Sequence, residues 1–172
     1  MTARFALFAR LLHWTMAVLI LAMLFIGAGM LSTASACYPA LLAWHRPIGI
    51  TILVLALIRL GFRITHRPPA LPDSLPDWQK AAAHASHWLL YALMIAMPLI
   101  GWAMQSAGGY PVLLTKTVVL PPILPHDIYL YGLLRTAHGL LAYAFFLLIL
   151  GHLGAALTHA LIRRDGVFQS MA

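Results

Sequence analysis

The sequence predicts an all-α integral membrane protein built as a bundle of four transmembrane helices. Three observations carry that reading. Only 9% of the 172 residues are charged while 62% are hydrophobic, against about 25% charged in an ordinary soluble domain. Four apolar stretches reach the roughly 20 residues that a helix rising ~1.5 Å per residue needs to cross a bilayer. The basic residues sort to alternate ends of those stretches, as cytoplasmic retention of Lys and Arg demands.

The stretches run from Leu11 to Met30, Ala43 to Phe62, Ala82 to Met104 and Gly132 to Ile162. With their flanks they make helices of about 9–30, 43–64, 81–105 and 131–163. Pro98 predicts a kink in the third, and the fourth is long enough to protrude from the membrane. Between the second and third helices, His66 to Asp77 holds Pro68, Pro69, Pro72 and Pro76 and reads as an extended strap. Between the third and fourth, Gly108 to Pro125 carries Pro111, Pro121, Pro122 and Pro125 and is expected to lie over the mouth of the bundle. With no internal repeat, phosphate loop or CxxC, residues 1–172 form one domain.

Charge orients the bundle. Arg4, Arg10, Arg59, Arg63, Arg67, Lys80, Arg163 and Arg164 collect on one side; Arg46, Lys116 and Arg135 are on the other. Eight against three places both termini and the 63–81 loop in the cytoplasm, with loops 31–42 and 106–131 outside. The net charge of +7 is explained by this topology. It forms no basic patch with interleaved aromatics, so nucleic acid is excluded. The stretch Ala34-Ser35-Ala36-Cys37 imitates a signal or lipoprotein cleavage site, but the preceding apolar run is longer than such a signal carries. The sole cysteine, Cys37, allows no internal disulfide and reads as a small loop residue.

Nine histidines in a chain with no glutamate carry the function, because ionisable groups inside a membrane span are costly and imidazole is the commonest side-chain metal ligand. His66 and His126 fall in loops, where a solvated histidine needs no explanation. His13 lies near the inner end of the first helix, His45 near the outer end of the second, and His84 and His87 near the inner end of the third. His138, His152 and His159 descend the fourth. Fourteen residues separate His138 from His152, so they differ by only ~40° in direction but by ~21 Å in height. One metal ion cannot span that distance; two large flat cofactors at two depths can. The partner at the outer depth is His45. At the inner depth His13, His84 and His87 are all candidates. Gly49, Gly139, Gly151 and Gly154 lie beside these histidines and would allow close approach of a flat group. The same residues also suit plain helix packing, with the histidines as polar glue.

Leu12-His13-Trp14, Trp44-His45-Arg46-Pro47-Ile48-Gly49, the arginines at 59 and 63, Ala83-His84-Ala85-Ser86-His87 and the pair His138 and His152 together resemble the bacterial cytochrome b561 family. The resemblance covers essentially the whole chain. It implies two haem b groups in the bundle, His13 with His152 on the inner iron and His45 with His138 on the outer iron. It further implies a superoxide oxidase type of activity, in which superoxide outside the membrane reduces the haems and ubiquinone accepts the electrons at the inner side, in a bacterial inner membrane. Bis-histidine ligation leaves no open coordination position, so the protein's part is to hold the haems and admit substrates.

Other residues suit those tasks. Arg135 and Arg46 flank the outer histidines and would steer an anion or bind haem propionates. His87 and His159 at the inner end would contact quinone. Arg59 and Arg63 read as topology markers first. Where relatives often carry an aromatic before the outer ligand, this chain has Thr136 and Ala137. A second reading is an electron-transfer anchor that exchanges electrons between quinone and a periplasmic redox partner.

Overall fold

A computed structural model describes residues 4–32, 37–66, 69–115 and 117–172. Ala34, Ser35, Ala36, Arg67, Pro68 and Lys116, which enter the sequence reading, lie outside the described residues. Four long helices dominate: α1 (Leu7–Ser32), α2 (Cys37–Thr65), α3 (Asp77–Ala107) and α4 (Ile128–Leu157). All four are long and apolar enough to cross a membrane.

Helices α1, α2 and α3 are each longer than the apolar stretch that predicts them, because backbone hydrogen bonding continues past the edge of the hydrophobic segment. Helix α2 starts at Cys37, so this exposed residue opens a helix rather than lying in a loop. Helix α3 starts at Asp77, directly after Pro76, and passes through Pro98 without a break. Helix α4 starts at Ile128 because Asp127 caps it, its carboxylate accepting from the N–H groups of Tyr129 and Leu130. Hydroxyls of Thr51, Ser106, Thr136 and Thr158 donate to carbonyls one turn earlier, which satisfies polar groups inside a lipid-facing helix.

Helical period decides which faces meet lipid. Leu11, Val18 and Phe25 on α1, and Leu133, Leu140 and Leu147 on α4, recur every seven residues and are all exposed. The core is correspondingly small: Met16, Ala56, Tyr91, Leu93, Met94 and Phe145. Helix α3 packs on α4, α1 on α2 and α2 on α3. Helix α4 makes its most extensive packing with α3 and meets α1 and α2 through core side chains, Phe145 sharing one cluster with Met16 and Ala56.

The outer segment folds more fully than its prolines suggest. Strands β1 (Val112–Leu113) and β2 (Val119–Leu120) pair antiparallel, Val112 opposite Leu120. Trp102 Nε1 donates to the Pro121 carbonyl, and the Ile123 N–H donates to Ser106 Oγ. The segment is thereby tied across the outer end of the bundle. Gly109, at φ 72°, makes a turn that a residue with a Cβ resists, and a Cβ there would also come within 3.2 Å of the His126 ring.

At the inner end α4 runs into a π-helical turn, Thr158–Arg163, followed by a short helix α5, Val167–Met171. This end closes on the start of the chain. The Phe5 N–H donates to the Ser170 carbonyl, and Trp14 Nε1 to that of Met171.

Candidate cofactor site

Residues 138, 145 and 152 lie seven apart and form one stripe on α4, and His159 follows seven residues later in the π-helical turn. Phe145 belongs to the core, so the stripe faces inward with an aromatic midway between two histidines. At the outer level His45 of α2 meets His138, with ring centres 6.1 Å apart and planes at 65°. At the inner level His13 of α1 meets His152, at 6.3 Å and 70°. His87 of α3 also reaches this level, its ring 5.6 Å from that of His152. His84 is exposed on α3. The structure thus gathers two of the three inner candidates, His13 and His87, around His152 and leaves His84 out.

The pairs do not hydrogen-bond to each other. Nδ1 of His45 and of His138 are buried without a partner, as are Nε of Arg10 and Nε of Arg46. Buried polar atoms without partners are rare in folded proteins. Here all four belong to a facing histidine or to an arginine close to one in sequence. A missing group carrying both a metal and anionic substituents would satisfy such a set. Two imidazoles on opposite sides of one metal, each at about 2 Å, hold their ring centres roughly 6 Å apart. Both facing pairs have that separation. Among the described residues no cluster of three or more His, Cys, Asp or Glu side chains forms a metal site, and a flat cofactor held from two sides needs none.

The glycines divide into two kinds. A Cβ on Gly139, Gly151 or Gly154 would meet nothing within 4 Å, Gly151 and Gly154 being exposed on α4, while one on Gly49 would meet the Met23 side chain at 3.6 Å. Gly101 of α3, absent from the sequence reading, lies against a ring of the outer pair: a Cβ there would lie 3.4 Å from His138 Cε1.

The arginines have more specific surroundings than charge sorting suggests. Arg46 Nη2 donates to Oε1 of the buried Gln105 at 2.6 Å. Arg135 is exposed at the outer end of α4, three residues before His138. Arg59 Nε donates to the hydroxyl of buried Tyr91, and Arg63 lies over the rings of Trp88 and Tyr91 at 6.0 and 5.8 Å. Arg59 and Arg63 are thus partly buried against aromatic side chains of α3. Together with Arg4 and His66 they line a cavity of about 300 Å³ at the inner end. His66, exposed just past the end of α2, stacks on Phe62 with ring centres 3.9 Å apart. His159 pairs with Asp165, Nδ1 to Oδ2 at 2.7 Å.

Comparison with known proteins agrees with this geometry. The family model for prokaryotic cytochrome b561 matches residues 4–172. The chain is 29% identical over 143 residues to cytochrome b561 homolog 1 of Escherichia coli (strain K12), covering 83% of this chain and 81% of that protein. It is 26% identical over 170 residues to cytochrome b561 homolog 2 of the same organism, covering 98% and 90%. A protein of Yersinia pestis named probable superoxide oxidase CybB is 32% identical over 132 residues, covering 74% of this chain and 72% of that protein. A four-span helical bundle matched over nearly its whole length makes this chain a member of the prokaryotic cytochrome b561 family, a multi-pass membrane electron-transfer protein of the b-haem class.

Proposed function

We propose that the chain is a superoxide:ubiquinone oxidoreductase of the bacterial inner membrane, a single domain with both termini in the cytoplasm and two haem b groups. The observation that carries the reading is the pair of facing histidine couples, 6.1 and 6.3 Å between ring centres, at two depths on the α4 stripe. His45 and His138 hold the outer haem, and His13 and His152 the inner one. The likeness to the relative named probable superoxide oxidase supports the choice of substrate.

When bound, the haems supply one-electron relays across the membrane. The chain's own residues do the rest. Arg135 raises the local concentration of a small anion at the outer end. Arg46, braced by Gln105, presents its unpartnered Nε to an anionic group beside His45. Phe145 and Met16 fill the space between the levels and exclude water. At the inner end His87 and His159 offer hydrogen bonds to ubiquinone. The overall balance is two superoxide plus quinone plus two protons, giving two dioxygen and quinol.

Stopped-flow mixing tests the reading. Superoxide should reduce the haems of the purified protein, and a short-chain ubiquinone should reoxidise them. If superoxide leaves the haems oxidised while quinol reduces them, the chain is an electron-transfer anchor for a periplasmic partner instead.

A further inference from the structure

His159 and Asp165 meet although helical geometry should keep them apart. On a regular α-helix six residues turn through about 600°, which would leave the two side chains about 120° and ~9 Å apart. Two departures from regularity bring them together. The Arg164 N–H donates to the His159 carbonyl at 2.8 Å, closing a π-type turn. Arg164 then adopts φ 51°, the only positive φ at a non-glycine among the described residues, and Gly166 follows at φ 84°. The left-handed conformation is costly for a residue with a Cβ, and such strain, like π-turns, concentrates at functional sites. Here it folds Asp165 back onto the imidazole.

The contact is specific. Oδ2 of Asp165 accepts from His159 Nδ1, while Oδ1 accepts from the Val167 N–H. The side chains are only 19% and 16% exposed. The chain has four acidic residues in all. Of these, Asp127 caps α4 and Asp77 lies beside Lys80 at 3.9 Å; Asp165 is the one that engages a histidine among the described residues. Partial burial by itself would raise the Asp165 pKa, but the bond from His159 and that from the Val167 N–H hold it below the usual carboxylate value. It is an anion at neutral pH.

We propose that Asp165 is the positioning residue of His159, keeping a proton on Nδ1 and stabilising the imidazolium so that Nε2 delivers protons to quinone. This rests on the reading that quinone is reduced at the inner end beside His159. A carboxylate on one ring nitrogen sets the tautomer and leaves the other nitrogen to exchange protons. In each delivery the Nε2–H bond breaks, an O–H bond forms on the reduced quinone, and water reprotonates the ring. The electrons come from superoxide through the haems.

The test uses the haem-loaded full chain and its reoxidation by a short-chain ubiquinone in H2O and D2O. Asp165→Asn keeps an acceptor for the turn but removes the charge. It should retain haem and its reduction by superoxide, slow reoxidation by about tenfold, and raise the solvent isotope effect, which a merely structural role would not move. Asp165→Ser, whose hydroxyl can still accept from the Val167 N–H, carries the same expectations should Asp165→Asn lose haem. Wild-type reoxidation with an unchanged isotope effect in either variant reduces Asp165 to a staple for α5 and overturns the proposal. His159→Ala separates the two levels of argument. If it reoxidises at the wild-type rate, the inner quinone reading has failed; if it is slow while the Asp165 variants are not, only the role of Asp165 has.

Discussion

His45 and His138 face each other across the outer level with ring centres 6.1 Å apart, and the Nδ1 atoms of both rings are buried without a partner. On the proposed reading a haem lies between these two imidazoles. On the proposed pairing, pyridine haemochrome assay finds about two b haems per chain, and His45→Ala or His138→Ala lowers this to about one. Unchanged haem content in both variants would refute the outer pair.

The inner level offers His152 two neighbours, His13 at 6.3 Å and His87 at 5.6 Å. His13→Ala should remove the inner haem, and His87→Ala should keep it while slowing reoxidation by ubiquinone. The exposed His84 serves as a control, and His84→Ala should leave both haem content and rates at wild-type values. Loss of haem in His87→Ala alone would exchange the roles of His13 and His87.

Gly101 predicts a steric test of the outer pair. Its absent Cβ would stand 3.4 Å from His138 Cε1, so Gly101→Ala is tolerated with a small shift of the ring. Gly101→Leu drives a branched side chain into the imidazole, at a cost of about 1–3 kcal/mol for overpacking. The expected outcome is selective loss of the outer haem in reduced-minus-oxidised spectra, the inner one remaining.

Arg10 and Arg46 each bury an Nε with no partner, three residues before His13 and one after His45. Each is expected to hold an anionic substituent of the neighbouring haem. A charged hydrogen bond of this kind contributes about 1.5–3 kcal/mol. Arg10→Gln should therefore make the inner haem more easily lost on dilution in detergent, and Arg46→Gln the outer. Redox titration should show each substitution moving mainly the potential of its own haem.

Arg135, exposed at the outer end, acts at longer range. Attraction of superoxide is screened over about 8 Å at physiological ionic strength. Haem reduction by superoxide should slow as salt rises, and Arg135→Gln should slow it several-fold at low salt and lose most of that salt dependence. An unaltered salt dependence would take Arg135 out of the entry path.

Hydropathy makes the four spans legible because lipid imposes a length and a polarity on them. The α4 stripe is equally legible, since seven-residue spacing survives any error in helix ends. What composition does not reveal is backbone register. Nothing in Thr158–Arg163 announces a π-turn, so the sequence offers His159 as a quinone contact without pointing to Asp165 as its partner. Two-residue strands among prolines leave no alternating pattern, so the hairpin at 112–120 reads as loop. Gly101 lies far in sequence from every histidine it could serve. Its contact with His138 depends on how α3 packs on α4, which periodicity alone does not specify. The same holds for Gln105 under Arg46 and for Tyr91 under Arg59.

The bond from Phe5 to Ser170 joins positions on either side of all four spans, and that from Trp14 to Met171 joins positions 157 residues apart. Such a contact has nothing to close upon until every span has been threaded into the bilayer, and contacts of high sequence separation form late. The inner end is therefore the last part of the molecule to be sealed.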